Sequence, residues 1–142
     1  MSEENVEIAR RNYATLNQAY RAGDPSIFRP ILEEHFDQDV VFEPAGVLPD
    51  SAQRPHRGWD GVLAFIGGQM EAFSEGWLEP TEFIDHDDYL IVPYRLGGRA
   101  RHTGLPVEFS FVHLITFQDG KVTRLEVYRT KAEALDAAGL SE

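Results

Sequence analysis

The stretch from Val107 to Arg129 constrains the fold more than any other part of the chain. Phe109, Phe111, His113, Ile115 and Phe117 take every second position, with Glu108, Ser110, Val112, Leu114 and Thr116 between them. Side chains on a strand alternate between the two faces of a sheet, so this run predicts one long strand with an aromatic-rich face. Asp119-Gly120 turns the chain, and Lys121–Arg129 returns as a second strand. Leu125 and Val127 share one face of it, and Arg124, Glu126 and Tyr128 share the other. A two-residue turn would set Leu125 with Val112 and Leu114. A three-residue turn with Gly120 left-handed would set Leu125 and Val127 with Phe111 and His113. The second pairing gathers the apolar side chains on one face. Register follows the hydrophobic pattern, so that pairing is expected. His113 then faces inward among Phe111, Ile115 and Leu125, and Glu126 faces outward near Arg124.

An apolar sheet face needs a cover, and the N-terminal half supplies one. Val6, Ala9, Tyr13, Leu16 and Tyr20 recur at spacings of three and four, the stripe of an amphipathic helix. Ser2 is the expected cap, Glu3 and Glu4 suit the first turn, and Gly23 is the expected C′ residue. Asp24-Pro25 restarts the chain into a short helix around Ile27–His35, re-phased by Pro30. Val40, Val41 and Phe42 predict a short strand stopped by Glu43-Pro44. Ala45–Arg57 reads as a long loop, and long ordered loops are often functional.

A further helix is expected from about Asp60. Leu63, Ile66, Met70 and Phe73 lie on one face of it, with Val62, Phe65 and Gln69 beside them. Gly67-Gly68 inside it costs about 1 kcal/mol per glycine in helix propensity, and close packing is the expected reason. From Trp77 onward the pattern is β. Glu79–Ile84 is a strand, Asp85 to Asp88 a turn, and Tyr89–Arg101 a long strand with a bulge or bend at Gly97-Gly98. Gly104-Leu105-Pro106 turns the chain into the hairpin, and Lys131–Ala138 closes it as a helix. No repeat or linker interrupts the sequence, and residues 1–142 are expected to form a single domain. Helices first and a meander of strands after give α+β: a curved antiparallel sheet wrapped around the N-terminal helices.

Composition narrows the function. The chain has 142 residues, 42% of them hydrophobic, which is enough for one core. It has no Cys, which excludes disulfides, thiol nucleophiles and Cys-ligated metals. Lys and Arg number 13 against 24 Asp and Glu, a net charge of −11. That field repels nucleic acid and anionic membrane surfaces, so neither is an expected partner. No run is long and apolar enough for a membrane span. The opening Met-Ser-Glu-Glu is unlike a secretory leader, and the cytoplasm is the expected location. The fingerprints of P-loop, dinucleotide-binding, serine-hydrolase and zinc-protease chains are missing.

The order of elements resembles the nuclear transport factor 2-like superfamily, and within it the SnoaL-like branch. The residues that carry the resemblance are Arg57-Gly58-Trp59-Asp60-Gly61-Val62, then Phe117-Gln118-Asp119-Gly120-Lys121-Val122. The tail from Glu126-Val127-Tyr128 through Ala132-Glu133-Ala134-Leu135 adds to them. The resemblance covers nearly the whole chain and implies a cone-shaped sheet that encloses a pocket. It says less about activity, because this fold hosts enzymes and binding modules alike. SnoaL-like polyketide cyclases carry a His seven residues before the turn glycine, which is His113 here. Their acid/base Asp falls seven residues after it, where this chain has Val127. Limonene epoxide hydrolases need an Asp at that same position. Ketosteroid isomerases place a basic Asp before a Pro at the end of the first strand, where this chain has Glu43-Pro44. Their oxyanion-hole Asp falls on His113, and their oxyanion Tyr falls near Leu16, about one turn from Tyr13 and Tyr20.

Glu43 and His113 are therefore the expected catalytic pair. Glu43 would move a proton and His113 would stabilise an enolate oxygen, without a cofactor. Tyr13, Leu16, Trp59, Phe65, Phe73, Tyr94, Phe111, Leu125 and Val127 are expected to line the pocket, because such pockets are mostly apolar. The expected ligand is a small, neutral, apolar organic molecule, isomerised or cyclised through an activated carbonyl. A non-catalytic binding module of the same fold is the alternative. Asp85, His86, Asp87 and Asp88 are read as a turn, since four adjacent residues cannot readily converge on one ion. Arg95, Arg99 and Arg101 alternate on a strand and are read as solvated or paired with the excess carboxylates. The resemblance implies a homodimer through the outer sheet face, where Val112, Leu114 and Tyr128 form an apolar strip.

Overall fold

The computed structural model describes residues 2–44 and 55–140. The cap expected from the Ser2 side chain, and most of the expected long loop, lie outside the described residues. The N-terminal stripe forms α1 (Ser2–Ala22), ended by Gly23 at φ +65°. The amides of Gly23 and Asp24 return to the carbonyls of Tyr20 and Ala19, which satisfies groups the helix end would otherwise leave free. Asp24 caps a 3-10 turn (Pro25–Phe28) by accepting from the Ser26 amide at 3.0 Å. α2 (Arg29–His35) follows, with Pro30 in its first turn, where a missing N–H costs nothing.

β1 (Phe36–Glu43) is longer than its apolar core suggested, and β2 (His56–Arg57) is a short strand that no sequence pattern announced. α3 (Gly58–Met70) starts two residues before Asp60. Gly58 sits at φ +72°, and a Cβ there would come within 3.3 Å of the Gln38 carbonyl oxygen. The glycine pair inside α3 is not a packing device. A Cβ on Gly67 would meet Pro25 at an ordinary 3.5 Å, and one on Gly68 would meet nothing within 4 Å.

The strands from β3 (Phe73–Pro80) onward are β4 (Ile84–His86), β5 (Tyr89–Ala100), β6 (Pro106–Gln118) and β7 (Lys121–Tyr128), followed by α4 (Lys131–Ala137). β3 therefore begins at Phe73, earlier than the expected Glu79, and Ile84 belongs to a separate short strand. The sheet runs in the order β2-β1-β7-β6-β5-β3, with β4 paired to β5. It is a curved mixed sheet: β1 and β7 run parallel and every other pair is antiparallel. The fold is α+β and cone-shaped, with α1 across the concave face.

Two registers differ from expectation in how they arise. The β6–β7 turn has two residues, not three. Asp119 and Gly120 both take positive φ, 54° and 78°, as a type I′ turn requires. The pairing then shifts between Thr116 and Phe117, leaving Thr123 as an extra residue in β7. That bulge puts Leu125 opposite Ile115 and Val127 opposite His113, so the apolar faces still coincide. The bulge expected at Gly97-Gly98 lies instead on the partner strand, between Ser74 and Trp77 of β3, where Glu75 takes φ 54°. β5 stays paired to β6 through both glycines. They are needed for clearance: a Cβ on Gly97 would sit 2.6 Å from the Trp77 ring, and one on Gly98 would sit 2.9 Å from the Ser74 carbonyl oxygen.

The main core lies between α1, α3 and the concave face, through Ala9, Tyr13, Leu16, Phe65, Ile66, Val92, Leu96, Ile115 and Phe117. A smaller cluster covers the convex face, where Ile91, Val112 and Leu114 pack with Ala134 and Leu135 of α4. α4 starts at Thr130, whose side chain accepts from the Glu133 amide, while Glu133 accepts from the Arg129 amide. Val112 and Leu114 are thus 4% and 1% exposed within the chain itself. The apolar strip read as support for a homodimer is covered by the chain's own last helix. Among the described residues, no helix is long and apolar enough to cross a membrane.

Candidate functional site

A cavity lies between α1 and the concave face of the sheet. α1 contributes Ala9, Asn12, Tyr13, Leu16 and Tyr20, spaced three and four residues apart as one helix face demands. β1 contributes Phe36, Val40 and Phe42, and α3 contributes Val62, Phe65, Ile66 and Gln69. Leu78, Tyr94, His113, Ile115, Val122, Leu125 and Val127 close the sheet side, and Phe28 one end. The cavity volume open to the centres of water-sized molecules is about 70 Å³. A single water needs roughly 10–15 Å³ by that measure, so a small organic molecule has room.

Six of the described wall residues carry polar side-chain groups: Asn12, Tyr13, Tyr20, Gln69, Tyr94 and His113. None of the described wall residues is Asp or Glu. The Tyr13 hydroxyl lies 2.6 Å from His113 Nδ1. His113 also stacks on Tyr94, with ring centroids 4.0 Å apart and planes 23° apart. The imidazole is 6% exposed, and loss of water pushes its pKa down to about 3. It is neutral at neutral pH and carries one N–H. Burial pushes the phenols of Tyr13 and Tyr94 upward, so both keep their protons. We assign the Tyr13 O–H as donor to Nδ1, because a phenol is the stronger donor and an imidazole nitrogen the stronger acceptor. The N–H then sits on Nε2, which has no protein partner among the described residues. The Tyr20 hydroxyl donates to Gln69 Oε1 at 2.6 Å, joining α1 to α3.

Tyr13, Leu16, Phe65, Tyr94, His113, Leu125 and Val127 are therefore brought together in one wall. Glu43 is not. Phe42 faces the cavity, and the next residue of a strand points to the other side of the sheet. The Glu43 carboxylate lies 3.8 Å from Arg124, which lies 3.4 Å from Glu126, itself the acceptor of the Tyr128 hydroxyl. Glu43 and His113 occupy opposite faces, so the expected pairing of a base with an oxyanion donor is not assembled. Trp59 is spent on structure, its indole N–H donating to the Phe36 carbonyl at 3.0 Å. Phe73 and Phe111 pack with the exposed Phe109, beyond the cavity wall.

The Asp85–Asp88 stretch forms the end of β4 and its turn, and the described residues hold no metal-binding group of His and carboxylates. Arg95 pairs with Glu79 and Glu108 and lies over the Trp77 ring. Arg99 pairs with Glu75, and Arg101 is exposed in the turn after β5. Asn12, Tyr20 and Gln69 were not singled out as wall residues by sequence. A signal existed for Asn12, which sits three residues from Ala9 and four from Leu16, inside the apolar stripe.

The SnoaL-like domain family model matches residues 11–125 of the chain. No curated protein matches it. Solved structures do. A Jannaschia sp. CCS1 protein provisionally assigned as a SnoaL-like polyketide cyclase superposes with TM-score 0.72 at 19% identity, over 99% of this chain and 94% of that one. An NTF2-like protein of unknown function from Burkholderia pseudomallei K96243 gives 0.70 at 25%, over 94% and 95%. TerC, co-crystallised with polyporic acid, gives 0.69 at 24%, over 94% and 96%. These similarities show the fold.

Proposed function

This chain belongs to the SnoaL-like domain family, and on that premise we propose that it binds a small, neutral, mostly apolar organic molecule carrying a carbonyl or similar oxygen. The observation that carries the reading is the buried Tyr13–His113 hydrogen bond in a cavity walled mostly by apolar side chains. A neutral imidazole whose Nδ1 is occupied offers an Nε2–H donor. Such a donor in a dry site orients an oxygen acceptor strongly. TerC, a structural relative co-crystallised with polyporic acid, is in keeping with a small-molecule ligand. Calorimetric titration with 2-acetonaphthone and with naphthalene tests this. The ketone binds more tightly to the wild type, and His113→Phe removes the difference. Equal binding of both compounds by the wild type contradicts the reading.

A second reading is cofactor-free isomerisation or cyclisation, favoured by the same Nε2–H. A neutral imidazole of depressed pKa can stabilise a developing enolate oxygen. With Glu43 on the far face, this reading needs a base other than Glu43. Exchange of ketone α-protons in D₂O tests it, catalysed by the wild type and lost in His113→Phe. A homodimer is proposed from the family resemblance, and sedimentation equilibrium tests it.

A further inference from the structure

We infer that the cavity has a second polar contact, the Asn12 side-chain carbonyl oxygen. It is turned inward by a chain of hydrogen bonds running out through His35 to Glu34, and it selects ligands that carry a hydroxyl. The inference rests on the ligand-cavity reading above and adds to it the chemical class of the ligand.

Asn12 lines the cavity and is 6% exposed. The amide atom placed as Oδ1 lies 2.9 Å from His35 Nδ1, and a half-turn of the amide group exchanges it with Nδ2. On the other side of that ring, Nε2 lies 2.9 Å from Glu34 Oε1. The His35 side chain is 10% exposed and that of Glu34 64%, so the chain leads from the cavity to solvent. The other Asn12 amide atom has no protein partner among the described residues.

The direction of these bonds follows from His35. Desolvation lowers its pKa below 6.5. Arg11 and Lys121 lower it further, while Glu34 alone opposes them. The ring is neutral at neutral pH and has one N–H to give. A bare nitrogen 2.9 Å from a carboxylate oxygen would set two lone pairs against each other, so the proton sits on Nε2. Nδ1 is then an acceptor and Asn12 must donate to it through Nδ2. Oxygen and nitrogen of an amide are assigned from such networks and not from shape. With Nδ2 spent on His35, Oδ1 is left for the cavity. Tyr13, the next residue on α1, points about 100° away around the helix and holds His113. The cavity thus offers a donor at His113 and, displaced around it, an acceptor at Asn12. The pair matches a ring compound bearing both an oxygen acceptor and a hydroxyl.

Two measurements on the intact chain test this. In ¹⁵N-labelled protein at pH 7.5, long-range imidazole correlations report the His35 tautomer. The Nε2–H form is expected, and the Nδ1–H form overturns the inference. The second measurement is binding of 2-naphthol, 2-methoxynaphthalene and naphthalene. One hydrogen bond predicts that 2-naphthol binds about fivefold more tightly than 2-methoxynaphthalene, which keeps an oxygen for His113 but has no hydroxyl to donate. Asn12→Leu erases that ratio. His35→Leu removes the acceptor that holds Asn12 Nδ2, so the amide is free to turn and the preference for 2-naphthol falls. Equal binding of 2-naphthol and 2-methoxynaphthalene by the wild type, both tighter than naphthalene, sinks the inference and leaves the cavity reading standing. Binding of none sinks both. Unchanged hydroxyl preference in a folded His35→Leu removes His35 as the positioning residue and overturns the chain as drawn.

Discussion

The hydroxyl of Tyr13 on α1 meets Nδ1 of His113 on β6 at 2.6 Å, across 100 residues of sequence and inside the apolar core. Removing one member strands the other. Tyr13→Phe leaves a buried imidazole nitrogen without a donor and should cost about 1–3 kcal/mol of stability in urea denaturation. The double variant Tyr13→Phe, His113→Phe should cost less than the two singles summed, because neither polar group is left behind. Additive costs would show that the bond contributes nothing.

Burial of His113 makes stability depend on pH. Its folded pKa, about 3, lies below the 6.5 of an unfolded histidine. Above pH 6.5 both states are neutral and the group contributes no slope. Below pH 6.5 the unfolded state takes up the proton first, so stability falls as pH drops toward 3. One such group contributes at most about 1.4 kcal/mol per pH unit. His113→Phe should flatten the difference in urea midpoints between pH 6.5 and 4.5 relative to wild type. An unchanged slope would mean that the imidazole is not desolvated.

The glycines separate into two kinds. Gly97→Ala drives a methyl against Trp77 and the Val107 carbonyl and should cost about 1–3 kcal/mol. Gly68→Ala adds a methyl in open space on a helix and should stabilise by up to about 1 kcal/mol. Thermal melts of the two variants should move in opposite directions.

α4 covers the convex face through Ala134, so Leu114 is a core residue and not an interface residue. The added cost of Leu114→Ala should be about 2–5 kcal/mol and should not change with protein concentration, whether or not the chain pairs through another face. Thr130→Ala, which removes the α4 cap, should cost about 1 kcal/mol. A Leu114→Ala cost that scales with concentration would show that the face is buried between copies.

Much of this architecture is legible in the sequence because its signals are local. The stripe on α1, the alternation along β6 and the turn residues Gly23, Asp119 and Gly120 all act within a few positions. The matching faces of β6 and β7 were legible too, although the turn has two residues and the Thr123 bulge restores the match. What escaped is non-local. Nothing in Phe36–Glu43 says that it lies parallel to β7, and nothing in His56-Arg57 says that it pairs with β1. Glu43 illustrates the cost for the site. Its place at a strand end suggested a base, but strand parity gives the cavity to Phe42 and turns Glu43 toward Arg124. Glu43→Gln should accordingly leave the affinity for 2-acetonaphthone unchanged. Asn12 escaped because one polar residue in an apolar stripe reads as an interruption until its partner, His35, is seen beside it.

On the proposed function, the Nε2–H of His113 holds a ligand oxygen inside the cavity. That contact is tested most directly by following that ring proton in ¹H–¹⁵N spectra during titration with 2-acetonaphthone. A saturable downfield shift of the Nε2–H signal is expected, with the same midpoint as the binding isotherm. Saturable binding that leaves the signal unmoved, or the proton found on Nδ1, would contradict the proposed function.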